Sequence, residues 1–374
     1  MIEPYKINIR QEVLDDLNLR IKNSRWPDEI NNSGWEYGTN LSYMKELSNY
    51  WLHDFSWRKI EDEINAHPNF VANIDGHQIH YLHIKGRSKN STPLIITHGW
   101  PGSFLEILKL IPLLTNDEAF SFDLVIPSVI GFGFSSKCVE RGCDNAYIAE
   151  LWHKLMLKLG YTKYGAQGGD IGSGISTRLA QKYPDHILGL HLNYVSDSFQ
   201  PYNQEELTPE VIKYNQGLEE WAAREAGYAY IQSTKPITLA YGLNDSPIGL
   251  CAWIVEKMNS WSDHEGHLEN ILTKDEILAN VTLYWVTQSI HSSVRIYNEN
   301  SKNPMKFGAN DFVKPPVAYA NFPKEISRPP KAYMSQGYHL TQWTDMPKGG
   351  HFAALEQPEL LAQDIMEFYR KFND

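Results

Sequence analysis

The chain is poor in cysteine and in positive charge, and it has no long apolar run. Its three cysteines, Cys138, Cys143 and Cys251, form no Cys-x-x-Cys pair and cannot all be disulfide-bonded, which fits free thiols in a reducing compartment. No stretch approaches the length of a membrane span. The first residues, Met1-Ile2-Glu3-Pro4-Tyr5-Lys6, lack a basic cluster followed by an apolar run, so no secretory signal is expected. Lysine and arginine number 34 against 45 aspartates and glutamates, a net charge of −11. That excess repels phosphate backbones and anionic lipid, so neither a nucleic-acid nor a membrane partner is expected. There is no internal repeat and no low-complexity tract. These absences describe a soluble, cytoplasmic protein.

What is present suits a globular chain. Apolar residues make up 42% and charged residues 21%, which excludes wholesale disorder. A length of 374 residues fits one large core with an insertion or extension. Aromatics are abundant, with 21 Tyr, 14 Phe and 11 Trp; such side chains pack cores and line apolar pockets with a polar rim.

Hydrophobic spacing divides the chain. Leu41, Met44, Leu47, Trp51 and Phe55 recur at helical intervals, so the chain as far as residue 67 reads as helices. Arg25-Trp26-Pro27-Asp28 breaks the earlier helix, because proline disfavours helical geometry in the residue before it. Residues 70–74 and 79–84 flank Asp75-Gly76 and predict a β-hairpin. Strands over 93–97, 122–127, 162–167 and 187–193 then alternate with helices over 104–114, 146–159 and 172–182. This rhythm predicts an α/β fold with a mostly parallel central sheet covered by helices. Between 196 and 305 the strands stop and helical patterning takes over, as in Leu250, Trp253, Ile254, Lys257 and Met258. The sheet resumes over 317–321 and 340–346, and an amphipathic helix over 358–372 closes the chain. The expected division is an N-terminal extension of helices and hairpin (1–90), a first core part (91–195), a helical cap (196–305) and a second core part (306–374).

Gly168-Gly169-Asp170-Ile171-Gly172 lies between a predicted strand and a predicted helix. It has the form of a nucleophile elbow, a strained turn that needs small residues two before and two after the nucleophile. The elbow holds its side chain at a helix N-terminus, where partial positive charge favours an anion. Here the position carries Asp170. A carboxylate is already charged at neutral pH and needs no base before it attacks, which suits displacement at saturated carbon. The segment also fits an N-cap aspartate in a Gly-rich turn or a nucleotide-binding loop, although the glycine spacing and downstream acid of a dinucleotide site are missing.

His98-Gly99-Trp100-Pro101-Gly102-Ser103 follows another strand, where this architecture supplies a backbone N–H to an oxyanion hole. The donors would be the N–H groups of Trp100 and Ile171, and the His98 side chain reads as structural. Of 14 histidines, His351, in Lys348-Gly349-Gly350-His351-Phe352, stands after a predicted strand and before the last helix. The order nucleophile, acid, histidine is that of α/β-hydrolases.

Taken together, these segments resemble the microsomal-type epoxide hydrolases of the α/β-hydrolase fold. The likeness runs through Arg25-Trp26-Pro27, His98 to Ser103, Gln167 to Ser173, Leu243-Asn244-Asp245-Ser246-Pro247, Leu283-Tyr284-Trp285 and Gly349-Gly350-His351, almost the whole chain. It implies an epoxide as small-molecule substrate and no metal or organic cofactor. Asp170 is implied as the nucleophile and His351 as the base. Glu325, in Phe322-Pro323-Lys324-Glu325, is implied as the acid, with Asp197 as fallback. Two cap tyrosines are implied as proton donors: Tyr228, with Tyr230 two residues on as the alternative register, and Tyr297. The resemblance also allows a homodimer. The membrane anchor of the microsomal pattern is missing, and Ile171 replaces the Trp that many relatives carry after the nucleophile. Trp100, Phe199 and Trp253 are candidate pocket walls.

Other readings give different expectations. A haloalkane dehalogenase also uses an Asp nucleophile, but it binds halide with indole or amide donors, and Ile171 removes one expected indole. A non-catalytic binding module on the same fold would not need this set of side chains. A serine esterase lacks its Ser at the elbow. His77, His80 and His83 fall in a predicted strand that splits them between faces, so they do not gather a zinc site. Asp62-Glu63 and Glu205-Glu206 read as solvated faces, and Asn244-Asp245-Ser246-Pro247 as a helix start.

Overall fold

Strands buried on both faces carry unbroken apolar runs. Leu94-Ile95-Ile96 and Leu124-Val125-Ile126 do so, and all six side chains are fully buried. A computed structural model describes residues 1–202 and 208–372; Glu205 and Glu206 lie outside the described residues. The strands are β1 (Ile2–Pro4), β2 (Asn69–Ile74), β3 (His77–Ile84), β4 (Thr92–Thr97) and β5 (Phe122–Pro127), then β6 (Tyr164–Gly168), β7 (Ile187–Leu192), β8 (Val313–Asn321) and β9 (Tyr338–Asp345). Among the described residues they form one nine-stranded sheet in the order β1-β2-β3-β5-β4-β6-β7-β8-β9. From β5 to β9 all neighbours are parallel; β1, β2 and β3 add antiparallel at the β5 edge.

The hairpin forms where the Asp-Gly signal puts it. Asp75 and Gly76 both take positive φ, 51° and 86°, as a two-residue hairpin turn requires, and Ile74 pairs with His77. The hairpin is continuous with the core sheet, because β3 pairs with β5. Two expectations need correction. Strand β1 was not foreseen: its three exposed residues show no alternation, and only pairing with β2 makes them a strand. The helix expected over 104–114 is a 3-10 turn, Phe104–Ile107, followed by a short helix, Leu110–Thr115. Pro112 is the reason. In one continuous helix its ring would meet the Leu108 carbonyl, whereas near the start of the second helix its missing N–H costs nothing.

The insertion is helical throughout its described part, including Pro209–Glu225, Gly227–Thr234, Pro247–Trp261, Lys274–Val286 and Arg295–Lys302. Ser246 caps the helix Pro247–Trp261 by accepting from the Gly249 N–H at 3.0 Å. The helices of the extension, Gln11–Lys22 and Leu41–His53, bond to this cap. Trp51 Nε1 donates to Thr282 Oγ1 at 3.0 Å, Tyr50 Oη to Asp275 at 3.0 Å and Arg20 pairs with Asp245 at 2.7 Å.

The closing helix Pro358–Arg370 is held by one buried carboxylate. Asp364 accepts from His191 on β7 at 2.9 Å and from Gln342 and Thr344 on β9 at 2.9 and 2.5 Å. Charged hydrogen bonds of this kind are worth about 1.5–3 kcal/mol each, and a buried partner left unpaired adds to the loss. Asp364→Ala is therefore expected to lower the unfolding free energy by about 3 kcal/mol, read as a drop in the urea midpoint at unchanged slope.

Candidate active site

At the end of β6 the chain turns sharply at Asp170, whose φ is 46°, and enters the helix Asp170–Lys182. Positive φ strains most side chains, and aspartate is among the few that tolerate it. The flanking glycines are steric necessities. A Cβ on Gly168 would strike the Gly172 carbonyl, and one on Gly172 would strike the carbonyl of Thr97 at the end of β4. Two strands and a helix thus converge beneath one carboxylate.

Asp170 Oδ1 accepts from the Trp100 N–H at 2.7 Å. Its Oδ2 lies 3.4 Å from His351 Nε2. On the far side, His351 Nδ1 meets Glu325 Oε1 at 2.6 Å, with both side chains out of solvent. Asp197 does not take this place; its described bond is to Ser196, at 3.4 Å, and it lines the large cavity instead. Burial works against the imidazolium, but the Glu325 and Asp170 carboxylates outweigh it and hold the His351 pKa well above the usual imidazole value. Ile171 stands in the first turn of its helix, where backbone N–H groups have no intrahelical partner.

Above the carboxylate is a cavity of about 360 Å³, lined by Asp170, Ile171, Tyr194, Trp221, Tyr228 and Tyr297 among others. Tyr228 and Tyr297 come from the cap helices Gly227–Thr234 and Arg295–Lys302, and their rings meet edge to face at 5.8 Å. Trp100 stacks on Tyr228 at 5.4 Å and meets Tyr297 edge-on at 5.7 Å. Burial, reinforced by the Asp170 charge, raises both phenol pKa values well above the ordinary tyrosine value, so both are protonated at neutral pH. The alternative register separates clearly: Tyr228 is 8% exposed and Tyr230 63%.

None of the three candidate walls lines this cavity: Trp100 borders a smaller space that Asp170 also lines, and the other two pack elsewhere. The Phe199 ring is buried among Phe307, Tyr333 and Tyr338, and packs a core beside Gly337. Trp253 turns its indole N–H to Gln232 at 3.0 Å within the cap. Neither lines the cavity. Helical spacing marks an apolar face, and here that face met other helices. His98 is structural: Nε2 accepts from the Val129 N–H at 3.1 Å, and burial lowers its pKa to about 4. His77, His80 and His83 each have separate partners, in Tyr147, Ser128 and Tyr161 respectively.

Some positioning residues escaped sequence reading. Trp261 receives the His351 N–H on its carbonyl at 2.9 Å and sets its ring edge-on to the imidazole at 5.1 Å. Tyr194 meets the imidazole at 5.5 Å. Glu356 accepts the N–H groups of Gly350, Phe352 and Asp263, each at 2.9 Å, and so shapes the histidine loop. Its place five residues after His351, ahead of Pro358, was the available signal. Lys257, buried in the cap, lies 4.9 Å from the Tyr228 ring centroid.

A mostly parallel sheet, a sharp turn after β6, an acid–histidine pair and a helical insertion define an α/β-hydrolase. Known proteins narrow this. Residues 2–107 match the family described as epoxide hydrolase N terminus, and residues 92–209 the alpha/beta hydrolase fold. Epoxide hydrolase 1 of Sus scrofa is 37% identical over 98% of this chain and 88% of its own. Juvenile hormone epoxide hydrolase 2 of Ctenocephalides felis is 38% identical over 100% of this chain and 86% of its own. The crystal structure of juvenile hormone epoxide hydrolase from Bombyx mori superposes with a TM-score of 0.90 at 30% identity, covering 100% of this chain and 95% of that one. The chain belongs to the epoxide hydrolase family, hydrolases that act on the ether bond of an epoxide. No helix among the described residues is long and apolar enough to cross a membrane.

The His351 arrangement has a measurable consequence. Removing the Asp170 charge while keeping its shape takes away one of the two anions that stabilise the imidazolium. In Asp170→Asn the imidazole is expected to deprotonate at lower pH than in the parent protein, followed by NMR of the ring resonances. An unchanged titration would contradict the electrostatic coupling.

Proposed function

We propose that this chain opens an epoxide through a covalent ester on Asp170 and hydrolyses that ester to a vicinal diol. The observation that carries the reading is the disposition of one carboxylate: Oδ1 is held by the Trp100 N–H at 2.7 Å, Oδ2 lies 3.4 Å from His351, and the residue borders the cavity. In the first step Oδ2 attacks a ring carbon, and the carbon–oxygen bond of the strained ring breaks. Tyr228 and Tyr297 bond the departing oxygen, one of them giving it a proton. The site contributes mainly by orienting the partners.

Ester formation removes the Asp170 charge. The imidazolium of His351 then loses one of its supporting anions, and its proton passes through solvent to the tyrosinate left by the first step. As a neutral base oriented by Glu325, His351 takes a proton from water while the water oxygen bonds to the Asp170 carboxyl carbon. The N–H groups of Trp100 and Ile171 receive the negative charge on Oδ1, each such donor being worth about 3 kcal/mol. The ester bond then breaks, His351 returns the proton to the leaving diol oxygen and takes up the proton of the new Asp170 carboxyl group, which restores the carboxylate and the imidazolium. The substrate cavity, at about 360 Å³, is near the small end of the range that accepts drug-sized ligands. Compact aryl or terpene epoxides suit it better than long fatty ones.

Asp170→Asn is expected to abolish turnover. His351→Gln should form the ester and fail to hydrolyse it, so intact-protein mass should rise by that of the substrate. A single turnover in ¹⁸O-water should give unlabelled diol and labelled protein. Diol labelled in that first turnover would mean that water attacks the epoxide directly. Tyr228→Phe and Tyr297→Phe should each slow ester formation by about 100-fold. Halide release from haloalkanes without diol from epoxides would assign the site to dehalogenation.

A further inference from the structure

Asp170 stands between two spaces. One is the large cavity already described. The other is a small chamber of about 30 Å³ lined by Gly102, Glu106, Gln167, Asn193, His351 and Asp170, together with apolar neighbours. Among the described residues Asp170 is the one that lines both. The chamber ends at Glu106. Beyond that side chain opens a recess of about 310 Å³, lined by Lys59, Lys109, Asp275, Glu276 and Asn280, and Glu106 is the one residue shared by chamber and recess. We propose that the chamber holds the water that hydrolyses the Asp170 ester, and that Glu106 positions this water and forms the gate through which the recess replaces it. The inference rests on the ester mechanism and names a water site within it.

The dimensions and chemistry agree. A buried water needs about 10–15 Å³ of accessible space and two to four polar partners. The chamber has the space, and it offers a carboxyl group, an imidazole and the amides of Gln167 and Asn193. A water there would lie against Asp170 in a space separate from the epoxide cavity, with His351 in the same wall. Substrate filling the large cavity would therefore not block hydrolysis. Glu106 is fixed for this position. Its Oε1 accepts the Ser103 N–H at 3.1 Å as half of a capping box, and Gly102 is a glycine because a Cβ there would overlap that oxygen. Burial, opposed by His351 and aided by Asp170, pushes the Glu106 carboxyl up to about 8, so it is protonated at neutral pH and can donate to a water.

The recess mixes apolar walls, Ile60, Leu105, Leu108, Ala279 and Leu355, with the charged side chains at Lys59, Glu63, Lys109, Asp275 and Glu276. Lys109 pairs with Glu276 at 2.5 Å and Lys59 with Asp275 at 3.8 Å, so these charged groups facing Glu106 are already engaged. Asn280 gives its amide N–H to the Pro101 carbonyl at 2.8 Å and keeps a buried Oδ1 without a partner. An unpaired buried acceptor at the edge of this recess is a further place for water.

Single-turnover kinetics on an aryl epoxide separate the two chemical steps. Glu106→Leu removes the polar gate, and Ala354→Val fills the chamber from the opposite wall while leaving the capping box intact. Both should slow ester hydrolysis roughly tenfold or more and change ester formation by less than about twofold. The ester should then build up in the steady state, with kcat and KM falling together. Glu106→Gln keeps a donor and the cap, so it should restore most of the hydrolysis rate and remove the change in that rate near pH 8. Equal slowing of both steps in Glu106→Leu and Ala354→Val would reduce Glu106 to a structural residue and overturn the inference. So would unchanged hydrolysis in Ala354→Val. The parent enzyme and His351→Gln are run alongside: diol from the first and trapped ester in the second keep the ester mechanism standing whatever the Glu106 variants do.

Discussion

A carboxylate that attacks carbon must keep one oxygen bare and must not swing away. In the proposed mechanism the Trp100 N–H meets that requirement by binding Oδ1 of Asp170 and leaving Oδ2 free of that donor. The same contact fixes which oxygen later carries the oxyanion, since the bound oxygen is the one already opposite a backbone donor. One hydrogen bond thus selects the nucleophilic atom for the first step and stabilises charge in the second. It requires the turn after β4 and the elbow after β6 to lie within one bond of each other, and the glycines at 168 and 172 permit that approach.

The electrostatics then follow an order. Before reaction, His351 lies between two carboxylates and is held as a cation, which balances the nucleophile rather than competing with it. In the proposed mechanism alkylation makes Asp170 neutral, and the cation loses support at the stage when a base is needed. The cap tyrosines experience the reverse. While Asp170 is charged, their phenols are kept protonated, so the proton is available when the ring oxygen develops charge. No group needs a separate switch, because the covalent step itself changes the field.

Much of this was legible in the sequence because local constraints write themselves into it. The Asp75-Gly76 turn, the continuous runs on β4 and β5 and the Gly-x-Asp-x-Gly elbow each demand particular residue types within a few positions. Glu325 and Tyr228 could be assigned only by resemblance, since a glutamate or tyrosine in isolation carries no signal for its role. Phe199 and Trp253 were misplaced because an apolar aromatic looks the same to periodicity whether it faces a cavity or a neighbouring helix. Glu106 illustrates the remaining gap. It stands three residues after Ser103, the spacing of the capping box that the structure shows. Only the fold reveals that the carboxyl also divides two cavities.

The N-terminal extension joins this system from outside. Its helices bond to the cap through Trp51 to Thr282 and Tyr50 to Asp275, both targets lying on the helix Lys274–Val286. That helix in turn sends Asn280 to the Pro101 carbonyl and Tyr284 to the Gly102 carbonyl, at 2.8 and 2.7 Å. Those carbonyls belong to the turn that presents the Trp100 N–H. The exposed Arg20–Asp245 pair adds little, because surface ion pairs are worth about 0–1 kcal/mol. The buried bonds, at about 1 kcal/mol each, carry more of the coupling. The oxyanion donor is therefore fixed from two directions, by the sheet below and by the extension acting through the cap helix. A segment that contributes no catalytic side chain in this way helps to set the geometry of the nucleophile.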